Sequence, residues 1–382
     1  MIKNEKPIRI LEINSGSGNF GGVSSFLYNV YTHIDRSKVQ FDFLSPNKTT
    51  YGIHKDEIED LGGKVYELGI KGNILSRKIK LYFGLRKFLE KNEYKIVHVN
   101  SGNFFFNLVV ISAIKKQGVP IRIVHSHNAG DTNASRIRKI AFQVLKPCLE
   151  KNATDLMACS KKAANYMFSQ SGALKSQVIP NGIEVERFRF DPVCREEIRT
   201  ELGLQDNFVV GHVGRFLKQK NHLFLIDIFY ELLKIEPTAV LLLFGTGELQ
   251  EQVKEKVKQL GIEKQVRFMG VRTDIEKMYQ AMDVFLMPSF HEGLPVTGIE
   301  VQASGLPMIL SDAITEEVKI TEQVEFVSLE KSPAEWAKRV LAYRNIKRKD
   351  EVEKVIEAGY SIQGVADKMQ NMYLSLYKDG VK

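Results

Sequence analysis

Two glutamates, Glu292 and Glu300, close either end of the segment Glu292-Gly293-Leu294-Pro295-Val296-Thr297-Gly298-Ile299-Glu300, with seven residues between them. If both were helical they would stand about 12 Å apart along the axis, at about 1.5 Å per residue. That spacing suits neither a proton-sharing dyad nor a glycosidase pair, whose carboxyls lie roughly 5 to 9.5 Å apart. The two carboxylates are therefore expected to grip different parts of one extended ligand. Pro295 suits the first position of a helix, which would put Glu292 on the preceding loop and Glu300 a turn or more into the helix. The free N–H groups of Val296 and Thr297 would then face an anion. Upstream, Gly214-Arg215-Phe216-Leu217-Lys218-Gln219-Lys220-Asn221 places two cations, Arg215 and Lys220, on one loop. Fixed cations of this kind suit a diphosphate, although solvated loop charge is the ordinary state of surface Arg and Lys.

The first half of the chain offers a glycine loop and a histidine. Gly16-Ser17-Gly18-Asn19-Phe20-Gly21, extended by Gly22, fits the dinucleotide spacing and is expected between a strand and a helix. A nicotinamide enzyme built on it would use Asp42 as its ribose-binding acid. The alternative is a loop kept small so that backbone can approach a phosphate or sugar, with the helix N-terminus at Val23 and Ser24 supplying partial positive charge. His127 lies in Val124-His125-Ser126-His127-Asn128 and reads either as a ligand-facing imidazole or as a structural histidine at a strand end; His125 and His98 read as structural. No Asp-x-Asp pair, no His-Glu-x-x-His and no Cys-x-x-Cys occurs, so neither a metal nor another cofactor is expected. Cys148, Cys159 and Cys194 are read as reduced thiols.

The elements that must position these residues follow a strand and helix alternation. β-Branched runs at 8–13, 41–44, 64–68, 96–99, 121–124 and 156–159 read as strands with amphipathic segments between most of them. The rhythm restarts at 208–213, 239–244, 266–269, 284–287 and 307–310. An α/β protein of two doubly wound, Rossmann-like parallel-sheet domains is expected, facing one another across a cleft. The turn Pro180-Asn181-Gly182 and the later Asp191-Pro192 bracket the boundary, giving an N-terminal domain over 1–185 and a C-terminal domain over 186–359. The final helical stretch, within 360–382, is expected to return to the first domain.

The 382 residues are 43% hydrophobic and 26% charged, the usage of a globular protein with a sizeable core. The net charge of +8 is unevenly distributed, because residues 1–185 hold 27 Lys and Arg against 15 Asp and Glu, while the remainder is net negative. An anionic partner on the first half is implied. The segment 71–95 interleaves Ile74, Leu75, Ile79, Tyr82, Phe83, Phe88 and Leu89 with Arg77, Lys78, Lys80, Arg86 and Lys87, and Arg136, Arg138 and Lys139 open a second such segment. These are either core helices with solvated basic faces or surfaces for anionic lipid. No run of about 18 apolar residues and no nucleic-acid motif occurs in the sequence, and no secretory leader is expected. A cytoplasmic protein is expected, with a peripheral position at the inner face of the cell membrane as one outcome.

These pieces together resemble the retaining GT-B glycosyltransferases of family 4. The resemblance covers nearly the whole chain and rests on Gly21-Gly22, His127, Ile179-Pro180-Asn181-Gly182-Ile183, Gly214-Arg215-Phe216 with Lys220-Asn221, and Glu292 to Glu300 followed by Gly305-Leu306-Pro307. The wording is most similar to bacterial exopolysaccharide and capsule enzymes. It implies transfer of a hexose or N-acetylhexosamine from a nucleotide-diphosphate sugar, UDP-linked by expectation, to a lipid-linked or saccharide acceptor on the first domain. By the same resemblance Arg215 and Lys220 neutralise the diphosphate, Glu300 accepts from the ribose hydroxyls, and Glu292 faces the donor sugar. The backbone of Leu294, Pro295, Val296 and Thr297 completes the grip, Gly22 lets the ligand approach, and His127 reaches the sugar from the first domain. A nucleotide-sugar 2-epimerase of the same architecture and a noncatalytic sugar- or lipid-binding relative are the alternatives.

Overall fold

The computed structural model describes residues 6–16, 21–128, 130 and 135–380. Among them the strands form two wholly parallel sheets. The first holds β1 (Ile8–Asn14), β2 (Val39–Ser45), β3 (Lys64–Glu67), β4 (Ile96–Asn100), β5 (Ile121–Ser126), β6 (Asp155–Ala158) and β7 (Gln177–Val178), in the order β3-β2-β1-β4-β5-β6-β7. The second holds β8 (Phe208–Val213), β9 (Ala239–Phe244), β10 (Val266–Gly270), β11 (Val284–Met287), β12 (Met308–Ser311) and β13 (Val324–Val327), in the order β10-β9-β8-β11-β12-β13. Both orders reverse once, between β1 and β4 and between β8 and β11. Loops leaving such a pair diverge and open a crevice at the carboxyl edge of the sheet.

Two strands lay outside the sequence reading. β7 is only two residues long, and β13 carries Glu325 between apolar neighbours at a sheet edge, so neither shows the apolar run of a central strand. The central strands alternate sides. Leu11, Val97 and Val124 pack one face with Leu85, Ile111 and Phe142, while Ile10, Phe41, Ile96 and Ile123 pack the other with Phe26, Val30 and Met369. In the second sheet Val209, Phe285 and Met308 meet Met278 and Ile299, and Val210, Leu241 and Val284 meet Leu225, Phe229 and Trp336. Burial on both faces accounts for the near-continuous Val, Ile and Leu in these strands.

Contacts divide the chain into one unit of residues 1–182 with 362–382 and another of 183–361. The first crossover lies three residues before the expected 185/186. The Ile183 N–H donates to Tyr360 O at 2.8 Å and Ile183 bridges to Ser361, so this short stretch belongs to the second unit. The helix Ile362–Gly380 belongs to the first unit, where Ile362, Val365, Ala366, Met369 and Tyr373 form one buried stripe at helical spacing. Gly182 makes this crossing possible, since a Cβ there would lie 2.8 Å from the Cα of Ile362.

Asp42 is not placed to bind a ribose. It lies within β2, fully buried, where the Arg9 guanidinium is paired with it and the Tyr94 hydroxyl donates to it at 2.7 Å. A carboxylate held by two internal donors is a structural group. Of the glycine loop that raised the dinucleotide reading, Ser17, Gly18, Asn19 and Phe20 lie outside the described residues.

Candidate active site

The second unit builds its site from the two loops at its reversal point. Lys220 comes from the loop after β8 and Glu292 from the loop after β11, and their Nζ and Oε1 atoms are 2.8 Å apart. The Gln219 amide donates to Glu292 Oε2 at 3.1 Å and to the His291 carbonyl at 2.9 Å, while the Phe290 N–H donates to Gln219 O at 2.9 Å. Asn221 adds a bond to Pro288 O at 3.1 Å and has φ 56°, a left-handed conformation that Asn tolerates better than most residues. The helix His222–Ile235 begins just after it, with Asn221 as its cap.

A third loop supports this pair and escaped the sequence reading. The backbone of Gly245-Thr246-Gly247, after β9, lies directly against the cation loop: the Phe216 N–H donates to Thr246 O at 3.0 Å and the Gly214 N–H to Phe244 O at 3.0 Å. A Cβ on Gly245 would lie 2.3 Å from Gly214 O, and one on Gly247 would lie 2.6 Å from Phe216 O. Gly245 also has φ +120°, so only glycine fits without strain. The signal in the sequence was two glycines around one residue at a strand end. Gly214 serves the same packing from the other side, because a Cβ there would crowd the Lys220 stem at 3.2 Å.

Glu300 forms a separate cluster. It stands on the helix Val296–Ala303, where the Tyr279 hydroxyl donates to Oε2 at 2.9 Å. Burial pushes its carboxyl above the ordinary range, with the Tyr279 bond and the Arg187 guanidinium pulling the other way. Arg187 itself is tied to Glu276 at 3.0 Å. The Tyr279 hydroxyl is in turn held well above its usual value by burial and the Glu300 charge. Neither Tyr279 nor Arg187 was singled out from the sequence, since a lone Tyr or Arg carries no spacing signal.

Pro295 is not the first helical residue. Its φ of −70° is helical but its ψ of 115° is extended, so it caps the helix and Val296 begins it. The ring fixes φ and leaves ψ free. The N–H groups that lack a partner within the helix thus start at Val296 and Thr297, as their positions require. Leu294 and Val296 turn their side chains into the core, which leaves backbone as what they can offer a ligand. Arg215 is exposed on the cation loop.

In the first unit His127 follows β5 and its Nε2 shares a hydrogen bond of 3.0 Å with Asn100 Oδ1 at the end of β4. Its ring lies 4.1 Å from that of His125 and 5.3 Å from Phe26. Burial lowers its pKa to about 3, so the imidazole is neutral near pH 7 and offers hydrogen bonds but no charge. Gly22 begins the helix Gly22–His33 with Gly21 as cap, and no described atom lies within 4 Å of where a Cβ would stand on either. Nothing described inside the unit demands glycine there. Gly16 differs, since its Cβ would lie 2.3 Å from Thr50 Cγ2.

Two parallel doubly wound units, the second with a loop lysine and a glutamate paired across its reversal point, have the architecture of the GT-B fold. Solved structures agree on the fold: HepE of Anabaena in complex with UDP superposes with a TM-score of 0.78 over 97% of this chain and all of that one at 19% identity, and the lipopolysaccharide glycosyltransferase WaaG with 0.64 over 96% and 99% at 13%. The model for glycosyltransferases family 4 matches residues 20–187 and that for glycosyl transferases group 1 matches 207–345. The chain is 33% identical to EpsF of Bacillus subtilis (strain 168), classed by name as a glycosyltransferase, over 98% of this chain and 99% of that one. It is 26% identical to the UDP-Gal:alpha-D-GlcNAc-diphosphoundecaprenol alpha-1,3-galactosyltransferase of Escherichia coli over 79% and 81%. The chain belongs to this family of glycosyltransferases.

Proposed function

We propose that this enzyme transfers a hexose or N-acetylhexosamine from a UDP-sugar, with retention at the anomeric carbon, to a lipid-linked saccharide in the synthesis of a cell-surface polysaccharide. The Lys220–Glu292 pair carries the proposal, because it puts a cation and a carboxylate side by side at the crevice where a nucleotide sugar presents a phosphate next to a sugar. Lys220 and Arg215 neutralise the diphosphate, Val296 and Thr297 add backbone N–H groups, and Glu300 accepts from the ribose hydroxyls with the oxygen that Tyr279 does not occupy. As the bond from the anomeric carbon to the phosphate oxygen breaks, negative charge grows on the leaving diphosphate, and cations already in place stabilise it without reorganising. The acceptor oxygen bonds to the same face of that carbon and its proton passes to the departing phosphate. Glu292 orients the sugar and balances Lys220. No resident metal is called on, the loop cations taking the part a divalent ion plays elsewhere.

The acceptor reading draws on the first unit. A cavity of about 270 Å³ is lined in part by Ser15, Gly16, Arg77, Lys78, Asn103 and Phe106, two cations over a partly apolar floor. Beside it, Ile74, Leu75, Ile79 and Phe83 on the helix Ile74–Lys91 and Ile137, Ile140 and Val144 on Arg136–Asn152 are exposed. Lys78 and Arg138 both lie over the ring of Phe105, which joins the two strips. No described helix is long and apolar enough to cross a membrane. An apolar surface edged by cations suits an anionic membrane face, where each basic residue contributes about 1 kcal/mol. Relatives supply the same direction: the Escherichia coli enzyme is named for a UDP-galactose donor and a diphosphoundecaprenol acceptor, and another, CapH of Staphylococcus aureus, for capsular polysaccharide.

Incubation of the protein with a panel of UDP-sugars and polyprenyl-diphosphate saccharides, read by mass spectrometry and by the anomeric proton coupling of the product, tests the proposal. A product with the donor's anomeric configuration is expected. Epimerised donor without transfer, or UDP-sugar binding without turnover across the panel, overturns it.

A further inference from the structure

Beneath His127 the first unit buries a polar chain that donor binding does not use. The Tyr373 hydroxyl, from the helix Ile362–Gly380, donates to Glu12 Oε1 at 2.9 Å. The Asn100 amide donates to Glu12 Oε2 at 2.7 Å, and Asn100 Oδ1 meets His127 Nε2 at 3.0 Å. His98 Nδ1 lies 2.6 Å from the Tyr373 hydroxyl and 3.3 Å from Glu12 Oε2. Glu12, Asn100, His98 and Tyr373 are each no more than 2% exposed.

The direction of these bonds follows from what each group can do. A carboxylate only accepts, so Glu12 obliges the Asn100 amide to turn its NH₂ toward it. The amide oxygen is then the atom that faces His127, and an oxygen requires a hydrogen from Nε2. We propose that Glu12, acting through Asn100, is a positioning residue that fixes His127 in the Nε2–H tautomer, with the Tyr373 hydroxyl only a second donor to the other Glu12 oxygen. Nδ1 is buried and meets the Asn181 side chain, whose amide can turn its NH₂ toward the ring's lone pair. The ring then accepts at Nδ1 and has no second hydrogen to donate to a phosphate or carbonyl. Its resistance to protonation keeps that choice unchanged near neutral pH. The value of this device to catalysis rests on the donor-sugar role proposed above for His127, whereas the tautomer itself does not.

Protein labelled with ¹⁵N in its imidazole rings, with the His127 signals assigned by their loss in His127→Asn, reads the tautomer directly. The wild type should show a single Nε2–H pattern that Tyr373→Phe retains. In Glu12→Gln the new amide can offer either a donor or an acceptor to Asn100, so the single pattern should give way to a mixture. Transfer assays on the same Glu12→Gln protein should show kcat lower by at least about tenfold with the donor KM within about twofold, since a wrong tautomer costs turnover more than binding. A wild-type ring carrying its hydrogen on Nδ1, or an unchanged pattern in Glu12→Gln, overturns the proposal. If Glu12→Gln does not fold, Asn100→Ala read in the same way decides, with loss of the single pattern expected and its persistence overturning the idea. A wild type that shows the Nε2–H pattern but transfers no sugar would defeat the proposed function and leave this inference standing.

Discussion

Lys220 and Glu292, 72 positions apart in the chain, are brought to 2.8 Å between Nζ and Oε1 by the reversal of strand order between β8 and β11. The cation proposed above to meet a diphosphate is thus already balanced by a carboxylate of the same unit. Under that proposal a ligand phosphate shares Lys220 with a carboxylate whose Oε2 is also engaged, by Gln219.

Separating the partners should therefore have opposite effects on the free nucleotide. Lys220→Ala is expected to weaken UDP binding by about 2–3 kcal/mol, the loss of a charge-assisted contact together with a stranded carboxylate. Glu292→Gln should leave UDP binding equal or tighter while lowering turnover with a UDP-sugar. Titration calorimetry and steady-state rates measure both, and weaker UDP binding in Glu292→Gln would count against the shared-cation arrangement.

Glu300 sets a pH dependence of two signs. Its folded-state pKa is raised, so stability from the protonated form is present at acid pH and declines as pH rises through the window between the ordinary carboxylate value and the elevated one. Nucleoside affinity should move the other way, increasing over that window as the carboxylate gains the charge that accepts ribose hydroxyls. Glu300→Gln should flatten both curves in melting and binding experiments, and parallel slopes in the variant and the wild type would remove Glu300 from the nucleoside site.

Buried imidazoles predict early acid destabilisation. Burial lowers His127 to about 3 and His222 to about 4, and holds His125 and His212 well below their ordinary value. The unfolded chain takes up these protons first, so stability should fall once pH drops below about 6.5, by about 1.4 kcal/mol per pH unit for each such ring. Melting temperatures between pH 7.5 and 5 should decline steeply, and less so in His222→Phe. A flat profile over that range would contradict the burial of these rings.

Glycines at two loops should behave differently on substitution. Gly245→Ala places a methyl group against Gly214 O at a positive φ and is expected to cost more than about 2 kcal/mol of stability. Gly22→Ala meets nothing described within 4 Å, and in the first turn of a helix it should leave melting unchanged or slightly raised. Its effect should appear in sugar transfer, and full activity of Gly22→Ala would show that no ligand passes close to that backbone.

Much of the architecture was legible in the chain because a strand buried on both faces of a parallel sheet needs an uninterrupted β-branched run. The eleven strands read from the sequence, among them those at 8–13 and 208–213, rest on that local requirement. The loop cations and Glu300 on its helix were equally open to reading, as charged residues at fixed offsets from a strand end. The pairing of Lys220 with Glu292 was not, because it depends on which strands become neighbours. The Gln219 bridge, the Gly245–Gly247 backing, the Tyr279 bond to Glu300 and the line from Tyr373 to His127 belong to the same class. Local periodicity records which face of an element is buried, and so the sequence by itself determined the strands, the two-unit rhythm and the basic first half. Which side chain meets which across 72 or 361 positions is decided only when strand order and helix docking close the chain on itself, since contact between distant residues leaves no trace in the spacing of either.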